Sequence, residues 1–184
     1  MSANVDSSTG KKTWAVDPVH SSVEFAVKHM MVTTVRGRFA EFDAVVNFDE
    51  TNPEASSVEA KISAASIDTR AADRDAHLRS ADFLDVEHYP YLTFKSTKIE
   101  SQGNSQYLIS GDLTVRGVTK PVILNTEFAG IGKSPWGNRV AALSAETRIN
   151  RKDFGLVWNV GLETGGVLVG DEVRIHIELE LVEQ

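Results

Sequence analysis

The C-terminal segment alternates strictly between apolar and polar residues, and this pattern constrains the fold more than any other feature of the chain. Its polar positions are Arg174, His176, Glu178 and Glu180. Its apolar positions are Val173, Ile175, Ile177, Leu179 and Leu181. Successive side chains of a β-strand point to opposite faces, so this period of two predicts a strand with one buried face.

The same alternation recurs along most of the chain. It predicts further strands over residues 13–17, 22–30, 39–49, 58–62, 91–100, 107–116, 121–131 and 139–150. Most are bounded by glycine, proline or asparagine, which favour turns. Because many antiparallel strands need their edges protected, closure into an eight-stranded barrel is the predicted architecture. The predicted fold class is therefore all-β.

Two segments depart from this alternation. Residues 68–84 favour a helix, centred on residues 70–80, with Asp68 or Thr69 as its N-cap. Residues 151–170 are apolar but rich in glycine, which predicts a short helical or loop segment rather than a long helix. That segment is either a lid over a cavity mouth or a loop packed against the core.

Length and composition narrow the class of protein. A chain of 184 residues is long enough for one domain with a real core, here residues 13–183, preceded by a polar segment at 1–12 that is expected to be a disordered tail. No apolar run is long enough to cross a bilayer as a helix, and residues 1–12 lack the apolar core of a signal peptide. A cytoplasmic location is the expectation.

Charge and motif content exclude several functions. The 19 basic and 26 acidic residues leave a net charge of −7, which disfavours binding to nucleic acid. There is no cysteine, the five histidines are not paired at metal-ligand spacing, and no phosphate-binding glycine motif is present. No cofactor and no metal is predicted.

The densest polar cluster offers a catalytic alternative. On a helix, Asp73 and His77 share a face, as do Asp75 and Arg79, and a carboxylate beside His77 would orient it as a general base. An ordinary solvated helix face with ion pairs is the structural alternative. No Gly-x-Ser-x-Gly nucleophile motif occurs in the chain, so no catalytic residue is assigned.

Several motifs, taken in order, resemble the YceI-like family of lipid- or polyisoprenoid-binding proteins. They begin with Asp17-Pro18-Val19-His20-Ser21 and Val35-Arg36-Gly37-Arg38-Phe39. Residues 69–83 (TRAADRDAHLRSADF), 89–96 and 111–121 (GDLTVRGVTKP) follow, and residues 150–155 and 169–173 close the series. The similarity covers about residues 13–183.

This resemblance implies an extended, lipocalin-like antiparallel barrel that binds a polyisoprenoid or similar amphiphilic lipid in an apolar pore and performs no reaction. The residues predicted to line the pore are Val23, Phe25, Val27, Phe42, Val46, Phe48, Phe94, Leu113, Val115, Phe128 and Trp158. The predicted contacts to a polar head group are His29, Arg36, Arg38, Arg70, Arg74 and Arg151. A homodimer is modestly favoured, since symmetric dimers are the commonest oligomers.

Two alternatives stay open at this point. One is an enzyme that acts on a lipid-like or amide substrate through the helix with Asp73, Asp75 and His77. The other is a stress-related interaction module whose barrel interior is packed with side chains, because a barrel of eight strands can either fill its interior or hold one small ligand.

Overall fold

The protein is a β-barrel with one α-helix, seen in a computed structural model that describes residues 10–184. The expected tail at 1–12 lies mostly outside these residues, and its last part belongs to a strand. The strands are β1 (Lys11–Val16), β2 (Ser22–His29), β3 (Thr33–Phe39), β4 (Phe42–Asp49), β5 (Ser57–Ser63), β6 (Ile67–Asp68), β7 (Tyr91–Gly103), β8 (Gln106–Val115), β9 (Val118–Lys133), β10 (Arg139–Asn150) and β11 (Val169–Glu183).

The sheet closes on itself with antiparallel neighbours throughout. Eight strands form the ring in the order β1, β4, β5, β7, β8, β9, β10 and β11, and β11 pairs with β1 to complete it. Strand β11 is long enough to pair with two partners, β1 through its last residues and β2 through its first. Strands β2, β3 and β6 thereby extend the wall at one end, and the predicted eight-stranded barrel is confirmed.

The helix is shorter than the sequence pattern indicates. Helix α1 spans Ala72–Arg79, and its N-cap is Ala71, without a side-chain cap hydrogen bond, rather than Asp68 or Thr69. Four short 3₁₀ helices complete the secondary structure: Pro18–His20, Pro53–Ala55, Ala64–Ser66 and Arg151–Phe154. Within residues 10–184, no helix has the length and apolar character required to span a membrane.

Strand β3 was not among the predicted strands. Its only large inward side chains are Val35 and Phe39, and the intervening inward position is Gly37, so the alternating signal is weak. The turn that precedes β3 contains no glycine. Met30 and Met31 adopt its positive φ angles, which are 52° and 62°. The sequence therefore lacks both the strand pattern and the turn residue that such a hairpin usually shows.

Two apolar clusters occupy the interior at different heights. The larger cluster contains Phe94, Leu113 and Phe154 and extends beneath helix α1. The smaller cluster is built around Trp14, which is fully buried, and includes Val46, Ala141 and Leu181 at the end where β1 closes the ring. Members of both clusters also line the space that remains inside the barrel.

Candidate functional site

The barrel interior contains an apolar cavity of about 370 Å³, within the size range of small-molecule sites. The sequence did not decide between a packed interior and a cavity, and the structure shows a cavity. Nine of the eleven predicted pore residues lie on the cavity wall. They are Val23, Phe25, Val27, Phe42, Val46, Phe94, Leu113, Val115 and Trp158. Their contact with a ligand stays a prediction.

The other two predicted pore residues, Phe48 and Phe128, do not line the cavity. Their ring centroids lie 5.3 Å apart, and Phe48 also packs edge-on against Trp14 at 6.5 Å. Both belong to the smaller apolar cluster and form the floor of the barrel beneath the cavity. Strand alternation places a side chain inside or outside but gives no height along the axis, which is why the sequence misplaced them.

We call the opposite end of the cavity, away from Trp14, its mouth. His29 at the end of β2, His77 and Arg74 on α1, and Trp158 and Leu168 from the loop between the Arg151–Phe154 helix and β11 all line it there. The sequence left open whether residues 151–170 form a lid or a loop packed against the core. In the structure, this segment forms part of the wall at the mouth.

Arg151 is a predicted head-group contact that the structure assigns to the scaffold. Its side chain is 5% exposed, and its Nη1 donates to the carbonyl oxygens of Leu156 (2.7 Å) and Trp158 (2.9 Å). Its Nε donates to the Gly170 carbonyl oxygen at 2.9 Å. Burial lowers the pKa of Arg151, and Asp171 opposes this shift. The guanidinium ties both ends of the mouth loop together and has little capacity left for a ligand.

The remaining head-group candidates divide between the two faces of the wall. His29 and Arg74 line the mouth, although Arg74 also donates from Nε to Thr69 Oγ1 (2.7 Å) and from Nη2 to the Thr69 carbonyl oxygen (2.8 Å). Arg36, Arg38 and Arg70 do not line the cavity, and their contact with a head group stays a prediction. These three side chains border a groove on the outer surface, where Arg38 pairs with Asp68 at 3.4 Å.

The contacts predicted for the charged helix face are not formed. His77 Nε2 pairs with Asp82 Oδ2 at 2.9 Å and not with Asp73. The Asp73 side chain is exposed. Asp75 is buried and accepts hydrogen bonds from the Thr69 backbone N–H (2.8 Å) and hydroxyl (2.5 Å), and so fixes the turn before the helix.

His77 nevertheless lies at the cavity. Its ring packs edge-on between two aromatic side chains, with centroid distances of 5.0 Å to Phe83 and 4.6 Å to Trp158. All three rings line the mouth. A histidine with a carboxylate partner is therefore present beside the cavity, and the partner is Asp82, which the spacing rule for helices cannot identify because it lies beyond the end of α1.

Strand alternation also identifies cavity residues beyond the eleven predicted ones. Val173, Ile175, Ile177 and Leu179 form the apolar face of the C-terminal strand, and all of them line the cavity. The cavity wall also contains Thr126, which is buried and lies on the inward face of β9. The same alternation that predicts each strand also predicts these positions.

One group of metal-ligand side chains occurs within residues 10–184, away from the cavity. Asp17, His20 and Glu180 bring one ligand atom each to within 4.8 Å of one another. His20 Nδ1 lies 2.9 Å from Asp17 Oδ2, and Asp17 Oδ1 accepts from the Val19 N–H at 3.0 Å. This hydrogen bonding accounts for the arrangement as a turn that links β1 to β2.

Comparison with known proteins agrees with the fold and the motifs. The model of the YceI-like domain matches residues 14–181. A UPF0312 protein from Vibrio cholerae is 44% identical over 159 residues, which cover 86% of this chain and 81% of that relative.

Solved structures have the same barrel. The structure of BcnA from Burkholderia cenocepacia superposes with a TM-score of 0.77 at 28% identity and covers 90% of this chain and 98% of that chain. A polyisoprenoid binding domain from Saccharophagus degradans gives a TM-score of 0.67 over 93% of this chain and 98% of that chain, and its 13% identity supports the fold alone. The domain match spans nearly the whole described chain and the identity to the Vibrio relative is high, so this protein belongs to the YceI-like family.

Proposed function

We propose that this protein binds a polyisoprenoid or similar amphiphilic lipid in its cavity and stores or transports it without chemical change. The observation that carries the proposal is an apolar cavity with an aromatic floor and polar groups at its mouth. This arrangement suits a molecule with a long apolar tail and a polar head. The polyisoprenoid binding domain of Saccharophagus degradans, which has the same fold, adds support.

The driving force is transfer of the tail from water to the cavity. Each buried methylene contributes about 0.8 kcal/mol. A tail of about 20 carbons gains on the order of 10 kcal/mol before the loss of its conformational and translational freedom is subtracted. The remainder supports dissociation constants on the micromolar scale or below.

Filling the cavity tests this proposal. Ala145 is 3% exposed and lines the cavity, whereas Ala142 lies three positions earlier on the same strand and is exposed. We expect Ala145→Phe to lower the affinity for geranylgeranyl phosphate by about tenfold or more, because the new ring occupies ligand volume. Ala142→Phe is the matched control and should bind like the wild type.

Folding and binding need separate measurements in this experiment. Thermal unfolding shows whether the Ala145→Phe protein is folded, and Ala60→Phe places a ring at another point of the same wall if it is not. Equal affinity of folded Ala145→Phe, folded Ala60→Phe and wild-type protein would refute binding in the cavity.

The pair of His77 and Asp82 supports a second candidate, an enzyme that hydrolyses a lipid ester or amide held in the cavity. Under the binding proposal, His77→Ala changes no turnover, because the wild type has none. Release of acid from an acyl ester by the wild type, and its loss in His77→Ala with ligand retention intact, would favour the enzyme.

A further inference from the structure

Exposed apolar side chains lie along one side of the mouth of the barrel, next to helix α1. Of the twelve exposed large apolar residues within residues 10–184, six lie on two neighbouring turns at this end. We call these six residues the rim: Met30, Met31, Val32, Val157, Val160 and Val167. The other six are spread over the rest of the surface. A concentration of this kind is typical of an interaction site.

The two turns form one continuous surface. The Met30 N–H donates to the Leu168 carbonyl oxygen at 2.8 Å, which joins the β2–β3 turn to the mouth loop. The Met31 side chain lies directly against Gly166, where a Cβ atom would be 2.0 Å from the Met31 sulfur. Gly166 has a φ of 88°, so this close approach requires glycine on two grounds.

The rim is also continuous with the cavity. Along the mouth loop, Leu156 and Trp158 face the cavity, whereas Val157 is 63% and Val160 47% exposed. At the other end of the loop, Val167 is exposed and Leu168 and Val169 line the cavity. An apolar tail that leaves the cavity between these residues therefore meets apolar side chains on the outside.

The two turns that carry the rim hold little charge, whereas helix α1 at the same end bears Asp73 and Arg74 and is followed by Asp82. The net charge of the chain is −7, yet residues 28–34 and 155–169 contain a single carboxylate, Glu163, and a single lysine, Lys28. An anionic surface repels the rest of the molecule and does not repel the rim. The rim turns therefore add little repulsion to a contact with a negatively charged lipid surface.

We propose that the rim inserts into the surface of a lipid bilayer, so that the cavity mouth faces the membrane and the lipid enters without crossing water. This inference rests on the proposed function. Exposed side chains at the tips of two turns match the shallow insertion of about 5–10 Å that interfacial anchors make.

The test compares rim variants with a control at the opposite end. Val32→Asp combined with Val160→Asp places two carboxylates on the rim at positions that do not line the cavity. Trp136 is 85% exposed on the turn between β9 and β10, at the floor end, so Trp136→Asp is the matched control. Each protein is mixed with vesicles of phosphatidylcholine and phosphatidylglycerol that contain fluorescent geranylgeranyl phosphate.

Two readouts separate docking from binding. The first is co-sedimentation with the vesicles and the rate of probe transfer from them, and the second is loading with probe added from ethanol in the absence of vesicles. We expect the rim variant to lose vesicle binding and transfer by about tenfold or more and to load normally from ethanol. The Trp136→Asp protein should match the wild type in both readouts. The milder Val32→Ser with Val160→Ser variant serves if the carboxylates prevent folding.

Each outcome has one meaning. Equal vesicle binding and transfer by the folded rim variant and wild type would overturn the inference and leave the proposed function intact. A rim variant that only converts a dimer to a monomer, measured by size-exclusion chromatography with light scattering, would assign the rim to a second copy of the chain and also overturn it. Failure of the wild type to load from either source would refute the proposed function itself.

Discussion

At the residue scale, the arginines near the mouth have different roles despite similar sequence contexts. Arg151 donates its hydrogen bonds to carbonyl oxygens of the mouth loop, and Arg36 borders the outer groove. Arg74 lines the mouth and donates hydrogen bonds to Thr69 from Nε and Nη2. Under the proposed function, we expect a phosphate head group at the mouth to depend on Arg74 more than on Arg36 or Arg151.

This assignment gives a prediction for head-group selectivity. We expect Arg74→Gln to weaken binding of geranylgeranyl phosphate by about tenfold relative to geranylgeraniol, because a hydrogen bond to a charged group contributes about 1.5–3 kcal/mol. Titrations of both ligands measure the ratio, and any loss of packing affects both alike. Arg36→Gln should leave the ratio unchanged. A ratio that falls in Arg36→Gln and not in Arg74→Gln would place the head group on the outer groove.

A second prediction concerns the turn between β1 and β2. The hydrogen bond between Asp17 and His20 raises the pKa of His20 and lowers the pKa of Asp17. The contribution of His20 to stability is lost as the pH rises through its folded pKa, and that of Asp17 is lost as the pH falls through its own. The pair therefore stabilises the fold most between the ordinary values of the two groups, 3.8 and 6.5.

An NMR titration of the histidine rings measures this effect. We expect Asp17→Asn to bring the pKa of His20 back toward its ordinary value, because the main partner of the protonated ring is gone. His88 has its own partner, Asp85, at 2.9 Å and should titrate as in the wild type. An unchanged His20 titration in Asp17→Asn would show that the pair does not form in solution.

At the scale of elements, glycines within strands have unequal importance. Gly111 on β8 lies beneath the ring of Phe94, and a Cβ atom there would be 2.4 Å from that ring and 2.6 Å from the Lys95 carbonyl oxygen. The ring of Phe94 thus fills the space that the missing side chain of Gly111 leaves, and this glycine does not widen the cavity. Gly132 on β9 has nothing within 4 Å of the corresponding position.

These two glycines form a matched pair for a stability measurement. We expect Gly111→Ala to lower the free energy of unfolding by about 1–3 kcal/mol, because both the ring and the β7 backbone must shift. Gly132→Ala should change it by less than about 1 kcal/mol. Urea denaturation followed by tryptophan fluorescence gives both values. Equal effects of the two substitutions would contradict the packing of Phe94 over Gly111.

Strand β9 shows why element boundaries were harder to predict than elements. A strand was expected to begin at Pro121, yet β9 begins at Val118. The ladder between β9 and β10 ends at the pair of Asn125 and Glu146. Pro121 therefore lies on a stretch of β9 that pairs only with β8, and no strand on its other side requires a hydrogen bond from a backbone N–H. Proline is tolerated at such an edge. The sequence does not show which neighbour is missing.

A bulge on the same strand has a similar effect on the predicted faces. Ala142 pairs with Gly130 and Leu143 with Phe128, so Ala129 is an extra residue. This shift brings both Phe128 and Ile131 into the floor cluster, although strict alternation would place them on opposite faces. The change of phase depends on the partner strand and is invisible in a single sequence.

At the scale of the whole molecule, the barrel followed from the sequence more readily than its cavity. Alternation in nearly every strand and the ordered motifs from residue 17 to residue 173 were sufficient for the fold. The position of the floor was not, because it depends on how Trp14, Phe48 and Phe128 meet across distant strands. The mouth likewise depends on contacts between α1 and the loop after Arg151, which have no regular spacing.

Native mass spectrometry of the gently purified protein, with organic extraction and identification of whatever it carries, tests lipid binding in the cavity most directly. We expect one bound lipid with an isoprenoid or other long apolar tail per chain, and its loss in Ala145→Phe but not in Ala142→Phe. A wild-type protein that carries nothing and takes up neither geranylgeranyl phosphate nor a fatty acid would contradict binding in the cavity.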